Sequence, residues 1–344
     1  MEANKADVRI AVIGVGGAGS NAVNRLKKNG IESALTIAVN TDAKHLRFID
    51  SHEKILIGKS VTKGLGSGGM PEVAKKCAEA DRKLISERIG EKELVFICAG
   101  MGGGTGTGAS PIIADIAKEK GAIVIGMVTY PFALERSRLK TAQMGIQKLM
   151  GVCDTIVVID NNRMAQYFPD LPLDKAFEMA DNIVGRAVKG ISDSIVLPSM
   201  LNMDFADFKA VMAKKGLSMI SLGEGRGANK IEEAVKNTLD HPLLDVDYED
   251  AKGALVHVEG NPKLTLGEAI RIGELMTISF SPDSEVKLGA RVNPSLSEDA
   301  VVVTAVITGV KSPHILPYLT GMDKHEPAGA EPGAEEKYKA PVLA

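Results

Sequence analysis

Residues 14–19 read GVGGAG and residues 102–108 read GGGTGTG. Each lies between a short β-branched apolar run and a helical pattern, so a strand, a turn and a helix are expected at both places. Glycines there let backbone N–H groups approach an anion, and the helix start that follows favours negative charge. The first motif alone fits a dinucleotide fingerprint, with Asp42 at a ribose-like spacing, or a tight turn without ligand. The second changes the balance. Gly102, Gly103, Gly104, Thr105, Gly106, Thr107 and Gly108 carry an entropic cost that burial does not return, and the threonines add hydroxyl donors. Two such turns on one sheet can converge on one polyphosphate. No GxxxxGK[ST] occurs, so the phosphates would be held by backbone with little help from lysine.

Other candidate groups have bland readings beside them. Asp204 and Asp207, in LNMDFADFKAVM, fit a helix N-cap and an acidic first turn. Phe177 and Asp181 stand one turn apart on a long helical pattern, where Phe177 alone reads as core and Asp181 as a solvated face. Glu135 and Arg138 alone read as a solvated helix pair. Cys77, Cys98 and Cys153 are far apart, which argues against a disulfide framework or zinc site and for a reducing cytoplasm. No residue is assigned as a metal ligand.

The elements that must position these groups follow from patterning. VRIAVI (8–13), LTIAVNTDA (35–43), LVFICA (94–99), AIVIGMVTY (122–130) and DTIVVID (154–160) read as strands, alternating with helical stretches that include PEVAKKCAEADRKLISERI as one helix. That alternation predicts an α/β fold with a Rossmann-like parallel sheet and right-handed crossovers. Val184, Ala187 and Ile191 continue a stripe from 173 to 196, a central helix of roughly 36 Å. Beyond it a helix at 205–214, LGEAIRIGELM, and the strand-like runs 254–259, 285–292 and 300–308 predict a smaller α+β domain. The expected division is 1–172, 173–198, 199–316 and a mobile tail at 317–344.

Composition narrows the class. The chain has 344 residues, 44% hydrophobic and 25% charged, with a net charge of −3. This fits a folded globular chain and lacks the basic footprint of a nucleic-acid binder. No apolar run reaches the ~18 residues of a membrane span, so direct insertion is not expected.

GGGTGTG, with GVGGAGSNAV, AVNTDA and LNMDFADF in that order, resembles the FtsZ family, prokaryotic cell-division GTPases of the tubulin superfamily, archaeal types included. The resemblance covers roughly residues 8–316. It implies GTP/GDP and Mg²⁺ as ligands and hydrolysis of GTP to GDP and phosphate. It implies nucleotide contacts by Gly16, Gly17, Ala18, Gly19, Ser20 and Asn21, by Asn40 and Asp42, and by Gly66, Ser67, Gly68 and Gly69 on the γ-phosphate side. Glu135 and Arg138 would meet ribose and phosphate, although a shortened PFALERSRLK leaves Arg136 as an alternative. Phe177 would stack on the base and Asp181 would accept from guanine. Asn202, Asp204 and Asp207 match the family's N-x-D-x-x-D loop, which completes the site of the next subunit. The implied partners are copies of the chain itself, stacked head to tail, and division or membrane-adaptor proteins at mid-cell. The tail is short; HILPYL (314–319) reads either as an adaptor peptide or as the last packed segment. Two rivals stand beside this: an NAD(P)-dependent oxidoreductase, for which the six scattered histidines give no convincing catalytic set, and a non-division or non-catalytic filament protein of the same superfamily.

Overall fold

Isoleucine and valine runs that alternate with helices can be buried on both faces of a sheet, and the first half of the chain is built that way. The computed structural model describes residues 8–312 apart from 168, 171, 197–198, 200, 202–203, 215, 241–245 and 250. In it β1 (Ile10–Val15), β2 (Leu35–Asn40), β3 (Glu53–Leu56), β4 (Leu94–Gly100), β5 (Ile123–Tyr130) and β6 (Thr155–Asp160) pair in parallel, in the order β3-β2-β1-β4-β5-β6. Every residue of β1 and β6 is buried. Ala11 stands opposite Leu35 on one side and Val95 on the other, so β1 is the centre.

Helices join these strands: α1 (Gly16–Lys28), α2 (Ala43–Arg47), α3 (Lys59–Thr62), α4 (Pro71–Ala80), α5 (Arg82–Ile89), α6 (Gly104–Glu119), α7 (Arg136–Met150) and α8 (Asn161–Tyr167). From β1 the chain turns toward β2, and from β4 toward β5. The sheet therefore has a switch point between β1 and β4, where open α/β sheets leave a crevice at the carboxyl ends of their strands.

α9 (Leu173–Val196) matches the expected central helix. Its Val184, Ala187, Val188 and Ile191 are buried, and it packs on α1 and on strands of the second half. That half holds α10 (Phe205–Met212), β7 (Gly216–Arg226), α11 (Lys230–Leu239), β8 (Gly253–Gly260), α12 (Leu266–Thr277), β9 (Glu285–Val292) and β10 (Ala300–Thr308). Its strands run β7-β10-β8-β9, with β10 antiparallel to both neighbours and β9 parallel to β8 at the edge. The start of β7 pairs with β6 through Thr155 with Gly216 and Ile156 with Leu217, which joins both halves in one ten-stranded order.

Three local expectations need correction. Residues 71–89 form two helices, because Asp81 leaves the helical region (φ −103°, ψ 18°) and its carboxylate accepts a hydrogen bond from the Gly58 N–H at 2.6 Å. The glycine turns are mostly the first turns of helices: Gly16–Gly19 belong to α1 and Gly104–Gly108 to α6. β2 ends at Asn40, and Asp42 instead caps α2. Among the described residues no helix is long and apolar enough to cross a membrane. The tail at 317–344, HILPYL and Asn202 lie outside the described residues.

Candidate functional site

A cleft of about 1040 Å³ opens at the carboxyl ends of β1, β2, β4, β5 and β6. Several helices begin at it, α1 and α6 among them. α1 follows Val15 and α6 follows Gly103, neither start has a side-chain cap, and neither first turn holds an acidic residue. Their orphan N–H groups and the positive ends of both helix dipoles are left to whatever fills the cleft, which suits an anion.

The glycines divide by what surrounds them. A side-chain carbon at Gly17 or Gly103 would meet nothing within 4 Å, so these positions face open cleft. At Gly19 it would overlap the Cys98 carbonyl, at Gly104 the Ser67 hydroxyl, and at Gly108 the Pro71 carbonyl. Gly16, with φ +75°, lies against Gly106, where an added carbon would sit 2.8 Å from the Gly106 nitrogen. One set thus clears the cleft, and the other lets two helix starts and the 63–70 loop approach each other.

Of the expected nucleotide contacts, Gly17, Ala18, Gly19, Asn40, Asp42, Gly66, Ser67, Gly68, Gly69, Gly103, Gly104, Thr105, Gly106, Glu135, Arg138 and Asp181 line the cleft. Gly16, Ser20, Asn21, Gly102, Thr107 and Gly108 do not. Ser20 is buried in α1 and Asn21 is exposed elsewhere. Thr107 Oγ1 accepts from the Gly102 N–H at 2.9 Å, so its hydroxyl braces the turn from behind. Thr105 Oγ1 is 2.7 Å from Thr41 Oγ1 and 3.3 Å from Ser67 Oγ, tying α6, the residue just past β2 and the 63–70 loop together. Arg138, not Arg136, lines the cleft, and it forms an ion pair with Glu135 at the start of α7. The solvated-pair reading and the cleft position hold together.

At the other end, Asp181 Oδ2 is 3.2 Å from Arg25 Nη2, and Arg25 Nη1 is 3.1 Å from Glu178. Burial pushes the Asp181 carboxyl up to about 6, against the opposing pull of the Arg25 cation. Phe177 belongs to α9, but its side chain lies outside the described residues. Cys98 also lines the cleft; burial pushes its thiol up to about 12, which leaves it a small hydrophobe rather than a nucleophile.

Asp204 and Asp207 are not in this cleft. Asp204 caps α10, its Oδ1 accepting from the Asp207 N–H at 2.7 Å, as the bland reading expects. Asp207 pairs with Lys287 at 2.9 Å, and that hydrogen bond holds its carboxyl below the usual range.

The structure adds residues that sequence reasoning missed. Thr41, His45, Leu65, Leu134 and Asn161 line the cleft. Asn161 follows β6 directly, and its buried Oδ1 has no hydrogen-bond partner among the described residues. The available signal was position: these residues follow or flank the carboxyl ends of parallel strands. No group of three His, Cys, Asp or Glu side chains that would cage a metal occurs among the described residues. Mg²⁺ needs no such cage, since it keeps several waters and takes phosphate oxygens; Asn40 and Asp42 are oxygen donors on the cleft wall.

Comparison with known proteins agrees with this geometry. The Tubulin/FtsZ family GTPase domain matches residues 9–169, and the FtsZ family C-terminal domain matches 216–311. The chain is 51% identical over 314 residues to cell division protein FtsZ 2 of Methanocaldococcus jannaschii, covering 90% of this chain and 82% of the relative. It is 48% identical to cell division protein FtsZ 2 of Halobacterium salinarum, covering 90% and 79%. A solved structure described as an empty FtsZ dimer from M. jannaschii superposes with a TM-score of 0.83 at 41% identity, covering 90% and 93%.

Proposed function

The chain belongs to the FtsZ family, tubulin-like GTPases of the cell-division cytoskeleton, and from that premise we propose that its GTP-hydrolysing centre is divided between two copies of the molecule. One copy supplies the cradle. The uncapped starts of α1 and α6 hold the phosphates through backbone N–H groups, with Arg138 the one permanently cationic side chain among the described lining residues. Asp181 accepts from N1–H and the exocyclic amine of guanine. Adenine offers neither donor there, so a buried acceptor would be left unpaired. Mg²⁺ would neutralise charge on the phosphates.

The next copy supplies the acids. Asp204 and Asp207, with Asn202, enter from the neighbour and orient the attacking water, so each reaches a nucleotide that is not its own. Phosphoryl transfer depends mainly on positioning and electrostatics, so a lone subunit with an incomplete centre hydrolyses slowly. Subunits stacked head to tail make a heterologous contact that need not close, which builds a filament. Hydrolysis then weakens the contact and drives turnover. The observation that carries this reading is the convergence of two uncapped helix starts on one cleft, with the acid pair outside it. The division into 1–172, 173–198 and 199–316 belongs to the same reading, with α9 as the strut between cradle and acids. So do a cytoplasmic place at the division site and adaptor or division partners. The oxidoreductase alternative is not favoured, because the family match covers both halves of the chain.

The test is Asp207→Ala. It is expected to bind GTP and assemble as the parent does while losing most phosphate release. Normal hydrolysis by this variant removes the assignment.

A further inference from the structure

Asp207 does not stand alone. Its Oδ1 is 2.9 Å from Lys287 Nζ, which lies 3.9 Å from Glu285, and Glu285 is 3.3 Å from Lys214. The charged groups around Asp207 are therefore Lys287 and Glu285 from β9, Asp204 from its own helix start, and Lys214 just beyond that helix. This row rests on fixed backbone. Leu201 exchanges two backbone hydrogen bonds with Ala290 of β9, at 3.1 and 3.2 Å. α10 buries Phe208, Val211 and Met212, and the Phe205 and Phe208 rings stack at 6.1 Å. Lys287 stands opposite Leu255 in the parallel β8–β9 pair. Acid and cation thus come from two elements fastened to each other. Both side chains stay about a third exposed, at 31% and 37%, so the pair adds little stability and its value is geometric.

We infer that Lys287 is a positioning residue for the acid pair, holding Asp207 ionised and in one orientation as it enters the neighbouring subunit's cleft. This rests on the divided-centre reading. A carboxylate brought against a polyphosphate meets like charge, which favours its taking up a proton. Once protonated, it no longer offers the full acceptor set that orients a water. The two helix dipoles and Mg²⁺ would offset part of this charge, but among the described lining residues the basic side chains are His45 and Arg138, and Arg138 is engaged by Glu135. A lysine 2.9 Å from the acid travels with it and offsets the repulsion.

The experiment compares the full chain with Lys287→Met, Lys287→Arg and Asp207→Ala at a concentration that saturates assembly. Phosphate release per sedimented subunit is followed from mildly acidic to mildly basic pH. Lys287→Met is expected to sediment with GTP as the parent does. Its turnover should fall by up to roughly a hundredfold, the scale of a 1 Å misplacement, and the acid limb of its pH profile should move to higher pH. Lys287→Arg should restore both. The inference is overturned if Lys287→Met matches the parent in rate and profile, if arginine fails to restore them, or if Lys287→Met no longer assembles, since the cation would then serve the contact and not the carboxylate. Full turnover by Asp207→Ala would instead sink the divided centre itself. An inactive Asp207→Ala beside a parent-like Lys287→Met would sink only the lysine's role.

Discussion

Gly17 and Gly108 are the same residue type in adjoining motifs, yet their surroundings predict opposite outcomes. Gly108→Ala drives a carbon into the Pro71 carbonyl and must push α4 off α6. It is expected to lose about 1–3 kcal/mol of stability, read from urea unfolding. Gly17→Ala meets nothing within 4 Å and sits in a helix. It should keep or gain stability, by up to about 1 kcal/mol, while weakening GTP binding, because the methyl takes space meant for phosphate. Equal nucleotide affinity in the Gly17 variant would place the phosphates elsewhere. Asp181 gives a pH test. Burial in the free cleft pushes this acid up to about 6, and the proposed guanine contact needs the carboxylate. GDP affinity should therefore be flat above neutrality and fall as pH drops below about 6, by up to roughly tenfold per unit. Affinity unchanged across that range would remove Asp181 from base recognition. Glycine spacing announced the motifs in the sequence, but which glycines face open cleft depends on the loop 63–70 and α4, whose approach no local pattern encodes.

At the scale of elements, the strand-like runs of the second half were legible: β9 and β10 match their expected bounds of 285–292 and 300–308. β7 was not among the expected strands; Gly223 and Gly225 interrupt its apolar pattern. In the structure they admit α11, whose Thr238 hydroxyl and Lys230 carbonyl would overlap any side chain there. The break between α4 and α5 was hidden for a similar reason, since it depends on Asp81 meeting Gly58 across the fold. α12 starts with a reciprocal capping box between Thr265 and Glu268, far from the cleft in sequence and absent from its lining. Thr265→Ala should cost about 1 kcal/mol of stability and leave GTP binding unchanged. A loss of binding would show that the second half is coupled to the cradle in the lone subunit.

For the whole molecule, the cradle lies at the carboxyl ends of the parallel strands, while the acid pair is mounted on α10, outside the cleft. Leu65 and Leu134, 84% and 82% exposed, flank the cleft, an apolar rim suited to cover by another copy. The two-part fold was legible from the alternation of elements, whereas the continuity of the sheet through β6 and β7 was not, since among the described residues it rests on the short pairing of Thr155 and Ile156 with Gly216 and Leu217. The most direct measurement is the rate of phosphate release per subunit as protein concentration is raised at fixed GTP and magnesium. A divided centre predicts a low rate in dilute, unassociated protein and a steep rise as subunits meet. A rate per subunit that is the same from dilute monomer to assembled filament would contradict it.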